Sequence, residues 1–90
     1  MPINIYIEDS LESIARLSEQ NWELPFQIDE LERWLTLEGK KLPKNKYIAD
    51  IGFDIRKNAN GGGAVINSNM IKILANVGME IYLSEYSGVN

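Results

Sequence analysis

The same local pattern occurs at two places in this sequence: a short β-rich run is followed at once by a residue that can cap a helix. Ile3 to Ile7 leads to Asp9, and Ala64 to Ile66 leads to Asn67. Asp and Asn side chains accept hydrogen bonds from the free amides of a first helical turn. Two such units around a β-hairpin make a split βαβ fold, in which helices cover one face of a sheet. The pattern therefore predicts an α+β architecture.

The first unit is expected to contain one strand and one helix. Ile3 to Ile7 forms the strand, and Asp9 or Ser10 caps a helix over residues 10 to 20. Glu12 follows Asp9 at the spacing of a capping box. Apolar residues recur along one side of this segment at helical spacing, so the segment is expected to pack against the sheet.

A second helix is expected after Pro25. Proline lacks a backbone donor and pushes the preceding residue towards extended geometry, so the first helix cannot continue through it. The next apolar stripe begins near Asp29, where an ion pair between Asp29 and Arg33 would support the helix. Gly39 is expected to end this helix in a left-handed conformation.

Two strands around a glycine turn are expected next. Residues 46 to 57 alternate between apolar and polar side chains, as a half-exposed strand does, and Ala64 to Ile66 forms a second strand. Gly61 to Gly63 would close the hairpin, because glycine tolerates positive φ. We favour this turn over a phosphate-binding loop, which requires glycines that lead directly into a helix rather than into a strand.

One further helix and one further strand complete the predicted fold. Asn67 or Ser68 caps a largely buried third helix that Gly78 ends, Met79 to Tyr86 alternates as the last strand, and residues 87 to 90 form a frayed tail. The prediction is an α+β fold with a four-stranded mixed sheet and three helices, in the order β-α-α-β-β-α-β of a split βαβ or ferredoxin-like domain. Ninety residues support one core, so residues 1 to 90 are expected to form a single domain.

Composition limits the chemistry that the chain can perform. It contains neither cysteine nor histidine, which removes the usual ligands of zinc and the commonest general base. No nucleophile, base and orienting group can be placed together, so we expect a protein that is not an enzyme and that uses no metal or cofactor. Its apolar runs are too short to span a membrane and its first residues do not form a leader, so we expect a cytoplasmic protein without membrane association.

The charge distribution points to a basic partner. The net charge of −4 argues against nucleic-acid binding, which depends on Lys and Arg. The acids are concentrated near the start, since residues 1 to 38 hold nine acidic and two basic residues, and residues 39 to 90 hold four acidic and seven basic residues. An acidic surface attracts a basic protein and speeds the encounter with it.

The candidate contact surface lies between residues 22 and 38. A partly exposed tryptophan can anchor an interface, and acids around it can steer a cationic partner. A solvated helix face that covers two core tryptophans, Trp22 and Trp34, would give the same pattern. The predicted partner-binding residues are Trp22, Glu23, Asp29, Glu30, Glu32, Arg33 and Glu38.

This part of the chain resembles the barstar family of small acidic inhibitors of bacterial ribonucleases, and immunity proteins more generally. The resemblance lies in Leu24 and Pro25 ahead of the run DELERWL, and in the closing stretch MIKILANVGMEIYLS. It implies that acids of the second helix enter the phosphate-binding cleft of a nuclease. The matching residues are Asp29, Glu30 and Glu32, with Trp34 packed beneath them.

The sequence therefore predicts an immunity or inhibitor protein that neutralises a cognate toxin, a nuclease, by blocking its basic active site. One alternative is a small-molecule-binding regulatory domain that acts as a homodimer, in which Gly39 to Lys46 and the loop from Asn58 to Gly63 line the pocket. Another is a phage-encoded inhibitor of a host defence protein, which would use the same acidic surface.

Overall fold

The computed structural model describes residues 2 to 87 and contains a four-stranded mixed sheet covered on one face by two helices. The element order is β-β-α-β-α-β. The elements are β1 (Ile3–Ile7), β2 (Ser13–Leu17), α1 (Leu24–Leu37), a short 3₁₀ helix (Gly39–Lys41), β3 (Tyr47–Asp54), α2 (Ser68–Val77) and β4 (Met79–Tyr86).

The strands lie in the order β2-β1-β3-β4. Strand β1 is antiparallel to both β2 and β3, whereas β3 and β4 are parallel. Strands β2, β3 and β4 therefore run in the same direction, and each helix returns the chain from the end of one of them to the start of the next. The carboxyl ends of these strands and the amino ends of both helices consequently lie at the same end of the sheet, which we call its carboxyl end.

The core lies between the helices and one face of the sheet. Ile3, Ile51 and Leu83 are register partners across β1, β3 and β4, and Ile5 lies opposite Ala49 in the neighbouring row. The helices contribute the remaining apolar side chains. The buried cluster consists of Ile3, Ile5, Ile28, Leu31, Leu35, Tyr47, Ala49, Ile51, Met70, Ile73, Leu74, Val77 and Met79.

The predicted helix over residues 10 to 20 is wrong. Leu11 and Ser18 have left-handed backbones, with φ of 60° and 51°, and Ser13–Leu17 between them is strand β2. The apolar residues of this segment fit an alternating pattern as well as a helical one, because Ala15 and Leu17 can share one face of a strand. Pairing with β1 buries part of these side chains and satisfies the backbone groups of β2 that face β1.

The predicted boundaries of the next helix are also wrong. Helix α1 begins at Leu24 rather than near Asp29, since Pro25 occupies the first turn, where its missing N–H is not needed. Gly39 does not end the helix in a left-handed conformation but opens the 3₁₀ helix. A Cβ at Gly39 would lie 2.8 Å from Leu35 and 2.9 Å from Trp34, so close packing explains the glycine.

The predicted hairpin around the glycines does not form. Ala64 to Ile66 is not a strand, and residues 55 to 67 form one long loop that leads from β3 into α2. Gly61, Gly62 and Gly63 do have positive φ, as the turn prediction required. The prediction that these glycines adopt positive φ is therefore confirmed. The predicted pairing of residues 46 to 57 with residues 64 to 66 is wrong, because β3 pairs in parallel with β4 instead.

The last two elements are confirmed. The Asn67 side chain accepts a hydrogen bond of 3.0 Å from the Met70 amide at the start of α2, and Gly78 ends the helix with φ of 87°. Met79–Tyr86 forms β4. Helix α2 is less buried than expected, since Ile71 is exposed. Residues 88 to 90 of the predicted frayed tail lie outside the described residues.

The α+β class and the four-stranded mixed sheet are confirmed, but the predicted three helices and the order β-α-α-β-β-α-β are wrong. A split βαβ or ferredoxin-like topology is excluded because β1 and β2 are joined directly, without a helix between them. Within residues 2 to 87, the helices are too short and too polar to cross a membrane.

The glycine that ends α2 provides a test of this fold. Gly78 has a left-handed backbone, and a Cβ there would collide with the Asn45 carbonyl oxygen. Gly62 has a similar φ, but a Cβ there would meet only the Arg56 guanidinium, at an ordinary contact distance of 3.6 Å. Gly62→Ala should lower the free energy of unfolding by about 1 kcal/mol through backbone strain alone. Gly78→Ala should lower it by at least about 3 kcal/mol. Urea unfolding measures both, and equal losses would contradict the packing of Gly78 against Asn45.

Candidate functional site

The acidic residues in and beside α1 extend from one end of the helix to the other. Glu30 pairs with Arg33 at 3.1 Å, in place of the expected pair between Asp29 and Arg33. Glu23 and Glu38 flank the helix and lie about 22 Å apart along its axis at 1.5 Å per residue. The charges predicted to act together are therefore spread along the helix.

Glu32 has a structural partner. Its carboxylate accepts a hydrogen bond of 2.8 Å from the side-chain amide of Asn67, which also caps α2. This contact ties the middle of α1 to the start of α2. Glu32 is consequently half-buried, whereas Asp29 is exposed on the outer face of α1.

The two tryptophans lie at opposite ends of α1. Trp34 is half-buried, packs over Gly39 and contacts the core, so its role is structural. Trp22 precedes the helix and meets Tyr86 edge-to-face, with ring centroids 5.5 Å apart. Among the predicted binding residues, Trp22 and Glu23 line a cavity.

The cavity lies at the carboxyl end of the sheet, and we call it the α1 cleft. It is open to solvent and has a volume of about 600 Å³, which falls in the range of small-molecule and side-chain binding sites. One wall is the start of α1, and the other is the end of β3 with the loop after it. The lining residues are Trp22, Glu23, Leu24, Pro25, Phe53, Asp54, Ile55, Arg56, Ala59, Gly63 and Glu85.

Hydrogen bonds hold the Trp22 wall against β3. The Asp54 amide donates to the Trp22 carbonyl at 2.9 Å. The buried Gln27 side chain donates to the carbonyls of Asn21 and Gly52, at 2.7 and 2.8 Å. Gln27 thus links helix α1, the segment before it and strand β3, and this link fixes the position of Trp22.

The loop wall is held by its own contacts. The Arg56 guanidinium donates to the Gly61 carbonyl at 2.9 Å, which folds the loop back towards β3. The run Gly61–Gly63 has φ of 95°, 79° and 130°, in a region that other residues rarely adopt. The glycines therefore allow the loop to curve around the cleft.

The α1 cleft combines an aromatic surface with negative charge. Glu23, Asp54 and Glu85 are acidic, and Arg56 is the one basic residue among those that line it. The glycines do not lead into a strand, as was predicted, but Ala64 to Asn67 separate them from α2, so they do not lead directly into a helix either. The acidic lining is a further reason against a phosphate-binding loop, because it repels phosphate. Within residues 2 to 87, no three acidic residues are grouped closely enough to hold a metal ion.

The face of the sheet opposite the helices carries a second polar cluster. The Ser84 hydroxyl donates to the Asp50 carboxylate at 2.6 Å, and Tyr82 is the register partner of Asp50. Partial burial raises the pKa of Tyr6, and the charges of Asp50, Tyr82 and Glu8 raise it further. Neither Asp50 nor Tyr82 lines the α1 cleft.

Trp22 and Glu23 were predicted as contact residues, and Ala59 and Gly63 belong to the loop predicted to line a pocket in the alternative regulatory domain, but Phe53, Asp54 and Glu85 were not predicted. Phe53, Asp54 and Glu85 are distant in the sequence and reach Trp22 only because β3 and β4 end side by side. The alternation of residues 46 to 57 placed Asp54 on a strand, but no local signal places that strand beside α1. Glu38 and Arg33 lie outside the cleft.

The link through Gln27 can be tested by removing its donor. Gln27→Leu leaves two backbone carbonyls without their partner, so the free energy of unfolding should fall by about 1 to 3 kcal/mol. Trp22 fluorescence, recorded in a Trp34→Phe background, should shift towards that of a solvated indole. Gln20→Leu, at an exposed position, is the matched control. Unchanged stability and emission in Gln27→Leu would show that Gln27 does not position Trp22.

Comparison of the chain with protein-family models, with curated proteins and with solved structures gives no significant match.

Proposed function

We propose that this chain is a small acidic immunity or inhibitor protein that acts in the cytoplasm, binds a cognate basic toxin, a nuclease, and blocks its active site. The proposed contact surface is the α1 cleft with the exposed Asp29 beside it. The main support is the combination of an aromatic wall and three acidic residues in one open cavity of about 600 Å³.

The cleft is suited to a cationic side chain of a partner. An arginine that enters it can stack on the ring of Trp22 and meet carboxylates in the same space. A surface that binds nucleic acid is rich in Lys and Arg because it must neutralise phosphates. A nuclease therefore presents the kind of group that the cleft accepts, and the acidic surface would speed its approach.

The resemblance to barstar-like inhibitors supports the same class of function, although the proposed surface differs from the helix face that the resemblance implies. Glu30 and Glu32 are engaged by Arg33 and Asn67, so part of their hydrogen-bonding capacity is already used within the chain. Asp29 remains exposed on the same helix. We therefore place the centre of the contact at Trp22 and Glu23. A phage-encoded inhibitor of a host defence protein would use this surface in the same way.

Charge reversal in the cleft should weaken binding selectively. We would measure association with the purified product of the gene immediately upstream in the source genome, at about 0.15 M salt, where charges screen one another beyond about 8 Å. The double variant Glu23→Lys, Asp54→Lys should associate at least about 10-fold more slowly and with a weaker dependence on salt. Its melting temperature should change little, because both residues are exposed.

The matched control changes the same net charge elsewhere. Asp9→Lys with Glu12→Lys replaces two exposed acids in the turn after β1, remote from the cleft. This control should associate within about 3-fold of the unchanged protein, since it alters only the long-range field. Equal effects of the two double variants would contradict the proposed site, and no binding to the upstream gene product would contradict the proposed class of partner.

One observation favours a second function, the binding of a small cationic ligand. Ala59 and Gly63, from the loop expected to line a pocket in a regulatory domain, do line the α1 cleft. Gly39 to Lys46, the other expected wall, does not line the cleft.

If the cleft binds a small cationic ligand, L-arginine at about 10 mM should shift the Trp22 indole resonance in a saturable manner, and L-glutamate should not. No saturable shift with arginine would exclude this function.

A further inference from the structure

The α1 cleft holds a positive charge as well as negative ones. Arg56 lines the cleft together with Glu23, Asp54 and Glu85. A guanidinium that shares a cavity with carboxylates is expected to pair with one of them, because opposite charges attract strongly at close range. Among residues 2 to 87, however, Arg56 forms no ion pair. The opposite charges of the cleft are therefore held apart.

Contacts with the glycine loop keep Arg56 in this position. Its guanidinium donates to the Gly61 carbonyl at 2.9 Å. A Cβ at Gly62 would lie 3.6 and 3.9 Å from the two terminal nitrogens, so the guanidinium rests against the glycines. Gly61, Gly62 and Gly63 all have positive φ, which residues with a side chain rarely adopt. The glycine loop thus fixes a cation on one wall of the cleft.

Most of the hydrogen-bonding capacity of Arg56 is unused. A guanidinium carries several N–H donors in one plane. In the described part of the chain, the bond to the Gly61 carbonyl is the only hydrogen bond that this side chain makes. Its remaining donors are suited to a carboxylate, which a guanidinium binds through parallel N–H groups. Arg56 can therefore hold a negative group of a ligand.

The carboxylates lie on the other elements of the cleft. Glu23 directly precedes α1 and follows Trp22, and Asp54 and Glu85 lie at the ends of the neighbouring strands β3 and β4. All three acids are exposed, and none of them forms an ion pair with a residue between 2 and 87. A cationic group that stacks on Trp22 therefore meets free carboxylates, while the fixed cation lies on the loop wall.

We propose that the α1 cleft binds arginine through its free α-carboxylate as well as through its guanidinium. The carboxylate pairs with Arg56 on the loop wall, and the guanidinium stacks on Trp22 and meets Glu23. This assignment rests on the cation-binding role proposed above for the cleft, and it adds a site for the negative group. Arg56 becomes the residue that determines specificity.

The charges of the lining favour this ligand over related ones. A cation without an attached anion leaves Arg56 unpaired and is repelled by it. A phosphate ester carries about two negative charges. It would meet a lining whose three acids and one base give a net charge of −2. A carboxylate carries less negative charge, and the cation attached to it pairs with the acids.

A comparison of L-arginine with agmatine tests the carboxylate contact. Agmatine keeps the guanidinium and the amino group but lacks the carboxylate, so it carries more net positive charge. A cleft that only attracted positive charge would bind agmatine more tightly. We expect L-arginine to bind at least about 5-fold more tightly than agmatine, because the carboxylate pairs with Arg56. Titration of the Trp22 indole resonance measures both dissociation constants.

Nα-acetyl-L-arginine distinguishes the two sources of such a ligand. It lacks the free ammonium, as the last residue of a protein chain does, but keeps the carboxylate and the guanidinium. If it binds more tightly than L-arginine, the ligand is the C-terminal residue of a protein partner. If it binds more weakly, the ligand is the free amino acid, whose ammonium meets a further carboxylate of the cleft.

Replacement of Arg56 tests its role in this preference. Arg56→Gln should bind agmatine at least as tightly as L-arginine. Lys57→Gln is the matched control, since Lys57 is the next residue, is exposed and does not line the cleft. It removes the same charge and should keep the preference for L-arginine of at least about 5-fold. The preference of the unchanged protein does not depend on how either variant folds.

The outcomes separate this assignment from the cation-binding role on which it rests. Agmatine that binds the unchanged protein as tightly as L-arginine would overturn the carboxylate contact and leave the cation-binding role standing. A preference for L-arginine that survives Arg56→Gln, or that Lys57→Gln also abolishes, would overturn the role of Arg56. The absence of a saturable shift with either ligand would overturn both the contact and the cation-binding role.

Discussion

The parallel pairing of β3 with β4 is the constraint on which the rest of this structure depends. Parallel neighbours cannot be joined by a tight turn, so the chain must leave the end of β3, cross the helix layer and return through α2. The crossing includes the long loop that contains Gly61–Gly63, and this loop forms a wall of the α1 cleft. The same pairing places β4 last in the sheet, where one side of it has no partner strand.

The cleft and the edge follow from different parts of this arrangement. The cleft depends on contacts at the carboxyl end of the sheet, where Gln27 links the start of α1 to β3 and Arg56 holds the glycine loop. Its acidic lining comes from three separate elements, so its charge is a property of the fold rather than of one helix. The position of β4 at the edge of the sheet depends on the strand order alone.

Local signals in the sequence predicted the elements whose stability is local. Helix α2 was predicted correctly because Asn67 caps it and Gly78 ends it, and both act within one turn of the helix. Strand β2 was not predictable in this way, since its short apolar pattern fits a helix too, and pairing with β1 decides between them. The positive φ predicted at Gly61–Gly63 is correct, but these glycines lie in a loop between β3 and α2 and not in a hairpin between two strands. Trp22 and Glu23 were found from composition, whereas Asp54 and Glu85 required the register of β3 and β4.

The central claim is that recognition is concentrated in the α1 cleft and not spread along the outer face of α1. Hydrogen exchange, measured with and without the upstream gene product, tests this directly because bound surfaces exchange their amides more slowly. We predict added protection in residues 22 to 24 and 54 to 63, with little change in residues 30 to 38. Protection confined to residues 30 to 38 would contradict the claim.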